Sequence, residues 1–155
     1  MQYITKKLIS CERKEINALY HLLWKFNRVP SYNAFKNIKR CVLIWFCIEN
    51  NTIIGIWAIK QASKSFIQEL SQKTWYTFPE NVLEYGYIYV SPFYRWLWIT
   101  KKIKKYLFSR ISWPMYATTN TKNIPMKKLL KEFSFDLQWH FKSIIKDQIM
   151  ELYTK

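Results

Sequence analysis

The chain has 155 residues, half of them apolar and 19% aromatic, which suits one domain (1–155) with a substantial buried core. Its 25 Lys and Arg against 10 Asp and Glu give a net charge of +15, an excess that draws polyanions, although an AT-rich coding bias yields a similar Lys- and aromatic-rich, glycine-poor composition. No run of eighteen apolar residues and no secretory leader are read. The scattered Cys11, Cys41 and Cys47 and the isolated His21 and His140 have no metal-ligand spacing, so a cytoplasmic protein without a membrane span or metal centre is expected.

In chain order, residues 2–9 suit a first strand. Residues 12–26 suit a helix with Ile16, Leu19, Tyr20 and Leu23 on one face and Ser10 as its cap. Residues 32–39 suit a second, short helix. Two apolar runs of equal length, 41–48 and 53–60, flank the turn Glu49-Asn50-Asn51-Thr52 and predict a hairpin. Residues 61–79, polar with interspersed aromatics, give no firm assignment. A strand is expected over 82–90, ended by Ser91-Pro92. A helix follows over 95–110, with Lys101, Lys102, Lys104 and Lys105 on its outer side. A strand over 115–119, a helix over 124–133 and strands over 135–142 and 148–153 complete the order. Such an order predicts a mixed sheet with helices on its faces.

Val90-Ser91-Pro92-Phe93-Tyr94-Arg95, joining a strand to a helix within this order, resembles the GNAT acyltransferase superfamily. The stretch from Asn120 to Ser134-Phe135 resembles that family's passage from an Asn after its fifth strand to a helix ending in Gly-Phe. The resemblance implies an α+β fold: a GNAT-like mixed, mostly antiparallel sheet flanked by helices. It also implies acetyl-CoA as cofactor, its pyrophosphate held by the turn after Val90, that is Arg95, Trp96, Leu97, Trp98, Ile99 and Thr100, with Asn120 nearby. Free amides and the dipole at a helix start favour an anion. The family turn runs R/Q-x-x-G-x-G/A; here Trp98 and Thr100 replace its small residues, where close backbone approach to phosphate favours glycine. The family's tyrosine acid aligns with Leu130.

Glu84 precedes Val90 by six residues, the spacing at which several members of that family carry a carboxylate that deprotonates the acceptor amine. Period-two alternation puts Glu84, Gly86, Ile88 and Val90 on one face and Tyr85, Tyr87 and Tyr89 on the other. The competing reading of Glu84 is a solvated carboxylate or a lysine partner. Gly86 suggests a bulge; Gly55 reads as structural. Tyr94, at the helix entrance, is a candidate proton donor, against a packing role. His21, followed by Pro30, bears a faint similarity to the phage Mom DNA-modification proteins, against a structural histidine. Trp96 and Trp98 with the four lysines of 95–110 suit stacking and phosphate contact with nucleic acid, against buried indoles and a solvated lysine face. Lys127, Lys128 and Lys131 form a smaller basic face. Three functions stay open: an acyl-CoA-dependent N-acyltransferase, an inactive GNAT-fold binding protein, and a Mom-like nucleobase modifier.

Overall fold

The computed structural model describes residues 1–25, 31–97, 99, 102, 111–143 and 147–155. Its elements are β1 (Gln2–Lys6), a 3-10 turn (Leu8–Ser10), α1 (Arg13–Lys25), α2 (Ser31–Lys39), β2 (Cys41–Glu49), β3 (Thr52–Gln61) and α3 (Lys64–Thr74). After these come β4 (Leu83–Val90), a second 3-10 turn (Pro92–Leu97), β5 (Met115–Asn120), α4 (Ile124–Glu132), β6 (Asp136–Lys142) and β7 (Ile149–Thr154). Hydrogen-bonded strands follow the order β1-β2-β3-β4-β5-β7-β6. The β1/β2, β2/β3, β5/β7 and β6/β7 pairs are antiparallel and β4/β5 is parallel, so the sheet is mixed and mostly antiparallel as expected. The helix expected over 95–110 lies, apart from residues 95–97, 99 and 102, outside the described residues.

The chain divides into two compact units, the first made of Met1–Gln61 with Tyr85–Leu107 and the second of Ala62–Glu84 with Phe108–Lys155. In the first unit the hairpin closes through Asn50 and Asn51 at φ 47° and 59°. Two left-handed residues in a two-residue loop match the right-handed twist of the flanking strands, and asparagine tolerates that conformation. Alternation then sorts the strand residues. Ile44, Phe46, Ile56 and Ala58 pack with Leu19 of α1 and with Ala34 and Ile38 of α2. Trp45 and Trp57, paired across the hairpin, take the other face and are fully buried. The start of α1 differs from expectation. Ser10 belongs to the 3-10 turn, and Glu15, 2% exposed, closes the helix start instead by accepting the Glu12 backbone N–H at 2.8 Å. That is half of a capping box; both oxygens of Glu15 also take the Lys6 ammonium at 2.8 and 2.9 Å.

In the second unit, α3 occupies the middle of residues 61–79, which the sequence left without a structure. Leu70 is fully buried, and Phe66 and Ile67 pack with it against Val82, Tyr116, Phe141 and Leu152. The other buried position of α3 is Thr74, whose hydroxyl donates back to the Leu70 carbonyl at 2.7 Å. The helix ends on a left-handed Trp75, where glycine is the usual signal. At α4, Asn123 accepts the Met126 N–H at 3.3 Å and caps the start. The end is a Schellman motif, with Phe135 N–H to Leu130 O and Ser134 N–H to Lys131 O, both at 3.0 Å. Ser134 is left-handed at φ 61°, at the place where the similar family carries glycine. Ser134→Gly removes the Cβ clash and should stabilise the protein by about 0.5–1 kcal/mol, read as a raised urea midpoint at unchanged slope. A lowered midpoint would refute the strain. β6 ends the strand order. Its register with β7 shifts between Leu137 and Trp139, and both of these side chains are exposed.

Candidate functional site

β4 carries the centre of the candidate site, and its regularity breaks inside the expected region. Tyr87 is left-handed, with φ 53°. The irregularity therefore falls one residue beyond Gly86, and it ends the alternation that would have put Tyr85 and Tyr87 on one face. Tyr85 lies against Trp57, ring centroids 5.3 Å apart, whereas Tyr87 packs with the Ile56–Ala58 side of the hairpin. Adjacent odd-numbered tyrosines thus occupy opposite faces, because one left-handed residue re-phases the strand. A bulky residue held there costs on the order of 1–3 kcal/mol and persists only where its surroundings fix it. The buried Lys60 ammonium lies 4.1 Å from the centre of the Tyr87 ring, a cation–π contact away from water.

At its end β4 is tied down by Ser91, whose N–H donates to Ile54 O at 2.8 Å. The chain then turns through Pro92–Leu97, with Tyr94 N–H to Ser91 O at 2.9 Å. The exposed Arg95 folds back, its Nε donating to Val90 O at 3.2 Å. Ile99 is buried. A Cβ placed on Gly55 would stand 3.3 Å from the Cys47 Cβ, 3.5 Å from Tyr89 O and 3.7 Å from Ile99 Cγ2, so the glycine lets the strands and the turn approach closely. Burial, then the charge and hydrogen bond of the Glu49 carboxylate, push the Tyr94 hydroxyl up from its ordinary range. Of the expected site residues, Val90, Tyr94, Arg95 and Ile99 are thus brought together at this strand end. The side chains of Trp96 and Leu97, and all of Trp98 and Thr100, lie outside the described residues.

The remaining candidates lie on β4, β5 and α1. Glu84 is half-buried in the second unit, paired in register with Tyr116 of β5. Asn120 ends β5 with both halves of its amide engaged: Nδ2 donates to Gln148 Oε1, and Oδ1 accepts the Lys122 N–H, each at 2.8 Å. His21 is exposed on α1, its ring 5.9 Å edge-on from Tyr20. A cleft of about 520 Å³ in the first unit is lined by Lys6, Glu12, Lys14 and Glu15, among others. Its charges answer one another, Lys6–Glu15 at 2.8 Å and Lys14–Glu12 at 3.1 Å, and none of the expected site residues lines it.

The second unit also holds an ionisable cluster that sequence reading missed. Glu151 of β7 is 2% exposed. Its Oε1 accepts the Lys127 ammonium at 2.8 Å and lies 3.3 Å from His140 Nε2, while Oε2 accepts the Tyr153 hydroxyl at 2.8 Å. Burial alone would raise the carboxyl, but the hydrogen bonds of Lys127 and Tyr153, the Lys127 charge and His140 outweigh it and hold the group below the usual carboxylate range. The signal was present as an acid in the apolar run Ile149-Met150-Glu151-Leu152-Tyr153. His140, isolated in sequence, faces Glu151 across β6 and β7.

The chain has the fold of the GNAT acetyltransferases. An acetyltransferase of the GNAT family from Streptococcus agalactiae superposes with a TM-score of 0.70 at 13% identity, over 99% of this chain and 94% of its own. Arabidopsis thaliana NAA60 bound to a bisubstrate analogue does so with a TM-score of 0.69 at 14% identity, over 99% of this chain and 97% of its own. The ribosomal-protein-S18-alanine N-acetyltransferase of Escherichia coli gives 0.62 at 10% identity, over 99% and 92%. No protein-family model and no curated protein sequence matches the chain.

Proposed function

We propose that the chain is an acyl-CoA-dependent N-acyltransferase-like protein with a degenerate pyrophosphate turn, acting on or near nucleic acid in the cytoplasm. The supporting observation is the likeness of 99% of the chain to acetyltransferase structures, NAA60 among them with acetyl-CoA and with a bisubstrate analogue. Acetyl-CoA, when bound, supplies an activated thioester carbonyl. Arg95 at the strand end and the exposed Lys102 beyond it suit the anionic half of such a group. By the resemblance, Val90, Arg95, Trp96, Leu97, Trp98, Ile99, Thr100 and Asn120 would hold it, Trp98 and Thr100 being larger than the residues the family carries there. In this reading Glu84 takes the proton that the acceptor amine loses as its nitrogen bonds the acyl carbon. Tyr94 returns a proton to the sulfur as the carbon–sulfur bond breaks. A hydroxyl pushed up by burial and by Glu49 stays protonated at neutral pH, the state that a donor needs.

Calorimetry with acetyl-CoA tests the cofactor half. Weak binding is expected for the wild type and tighter binding for Trp98→Gly, because glycine lets backbone amides reach the phosphates. No heat from either protein would end the cofactor role of this turn.

A second reading, a GNAT-fold protein that binds without turnover, is favoured by Trp98 and Thr100 standing where the resembled family has small residues. The nucleic-acid half of the proposal rests on the basic stretch 95–110 through Lys101, Lys102, Lys104 and Lys105. A Mom-like reading rests on His21 and Pro30 alone, and Pro30 lies outside the described residues.

A further inference from the structure

Acyl transfer leaves the surplus charge without a task, and that charge is unevenly placed. The first unit holds fifteen of the 25 basic residues but three of the ten acidic ones. Between residues 16 and 48 there is no Asp or Glu at all, against five Lys or Arg. Of these five, Lys36 and Lys39 are exposed on α2.

Those two helices share an aromatic cluster. The Tyr20 and Phe35 rings lie 4.8 Å apart, and His21 stands edge-on to Tyr20 at 5.9 Å. Phe35 is 52% exposed and His21 is exposed. Lys39 follows Phe35 by four residues and shares its helix face; Lys36 flanks it, and both lysines are exposed. The first turn of α2 carries no acid and its last turn carries both lysines.

We propose that this face of α1 and α2 binds single-stranded nucleic acid, with Phe35, backed by the half-buried Tyr20, stacking on an unpaired base and Lys36 and Lys39 holding the flanking phosphates. Every base has a π-face for a bare ring, whereas a duplex keeps those faces inside its own stack. From residue 16 to the end of α2 the sequence has no carboxylate to repel a polyphosphate strand. The inference rests on the nucleic-acid half of the preceding proposal and is independent of acyl transfer.

Anisotropy of a labelled short oligo-dT and its duplex with oligo-dA, titrated with the full chain across a salt series, tests it. The single strand should bind more tightly than the duplex. Phe35→Leu should weaken it by about 5- to 100-fold at unchanged salt slope, while Phe35→Trp retains binding. Lys36→Gln with Lys39→Gln should flatten the slope by about 1.4, two phosphates at roughly 0.7 each. Wild-type binding by Phe35→Leu and by the lysine pair overturns the proposal. If only Gln at Lys101, Lys102, Lys104 and Lys105 then reduces binding, nucleic acid stays a partner and docks elsewhere. No retention at low salt removes the partner altogether and leaves acyl transfer standing. Equal affinity for duplex, or a dimer in sedimentation that Phe35→Leu dissociates, also overturns it, the latter by giving the face to a second copy.

Discussion

Glu84→Gln should lower acyl transfer by about 10²–10⁴-fold, the usual contribution of a general base, with fold and acetyl-CoA affinity kept. The amide matches the carboxylate in shape and still hydrogen-bonds, but it cannot take the amine's proton. Glu84 is half-buried on β4, so the substitution opens no cavity in the core. Thiol release from acetyl-CoA, measured over a panel of amines, nucleotides and tRNA, first finds an acceptor. The same assay then compares the variant, with circular dichroism and calorimetry as controls for fold and cofactor. A full rate in Glu84→Gln would move the proton to Tyr94 or His21. A wild type that binds acetyl-CoA and turns over none of the panel favours the binding protein.

Glu151→Ala should cost about 3 kcal/mol of stability. Glu151 is 2% exposed and holds three partners. Removing one member of a buried charged set typically costs 3–5 kcal/mol. The lower end applies here because Lys127, 27% exposed, can turn its ammonium to water. The Tyr153 hydroxyl cannot, since that residue is fully buried. Tyr153→Phe removes the orphaned donor, so the double variant should lose less than the sum of the two single losses. The pH sign follows from the depressed carboxyl. The stability contributed by Glu151 is complete above the unfolded-state value of about 4.3 and is lost as pH falls through the lower folded value. Acid unfolding should therefore be shallower in Glu151→Gln than in the wild type. A urea-unfolding free energy for Glu151→Ala within 0.5 kcal/mol of wild type, a surface-like value, would refute the network's role.

What the sequence discloses depends on how local the physics is. The hairpin was legible because two apolar runs and an Asn-Asn loop each suffice to specify it. α3 was not, because its inward stripe runs Phe66, Ile67, Leu70 and then a threonine that hides its hydroxyl on its own helix. Its left-handed stop is also a tryptophan. The two faces of β4 were misassigned because alternation holds only until a residue leaves the extended region, and nothing in the letters of Tyr87 says that it does. The cap of α1 was misplaced because Ser10 looks like a cap, while the acid that serves lies inside the first turn. Of the site, the strand end around Val90, Tyr94 and Arg95 could be read because proline punctuates it. The cluster around Glu151 could not, since its members come from α4, β6 and β7 and meet only through the fold.

β6 closes the strand order with Leu137 and Trp139 exposed and its register shifted between them. A rim strand with bare apolar side chains is where copies of a chain adhere in concentrated solution. The shift blunts this by spoiling the straight row of amides and carbonyls that a second rim would need. The net charge of +15 supplies the other safeguard, since like-charged copies repel. That repulsion reaches only about 10 Å at 0.1 M salt and about 3 Å at 1 M. Adhesion at this rim should therefore grow as salt rises, and the protein should keep best at low ionic strength, where repulsion holds its copies apart.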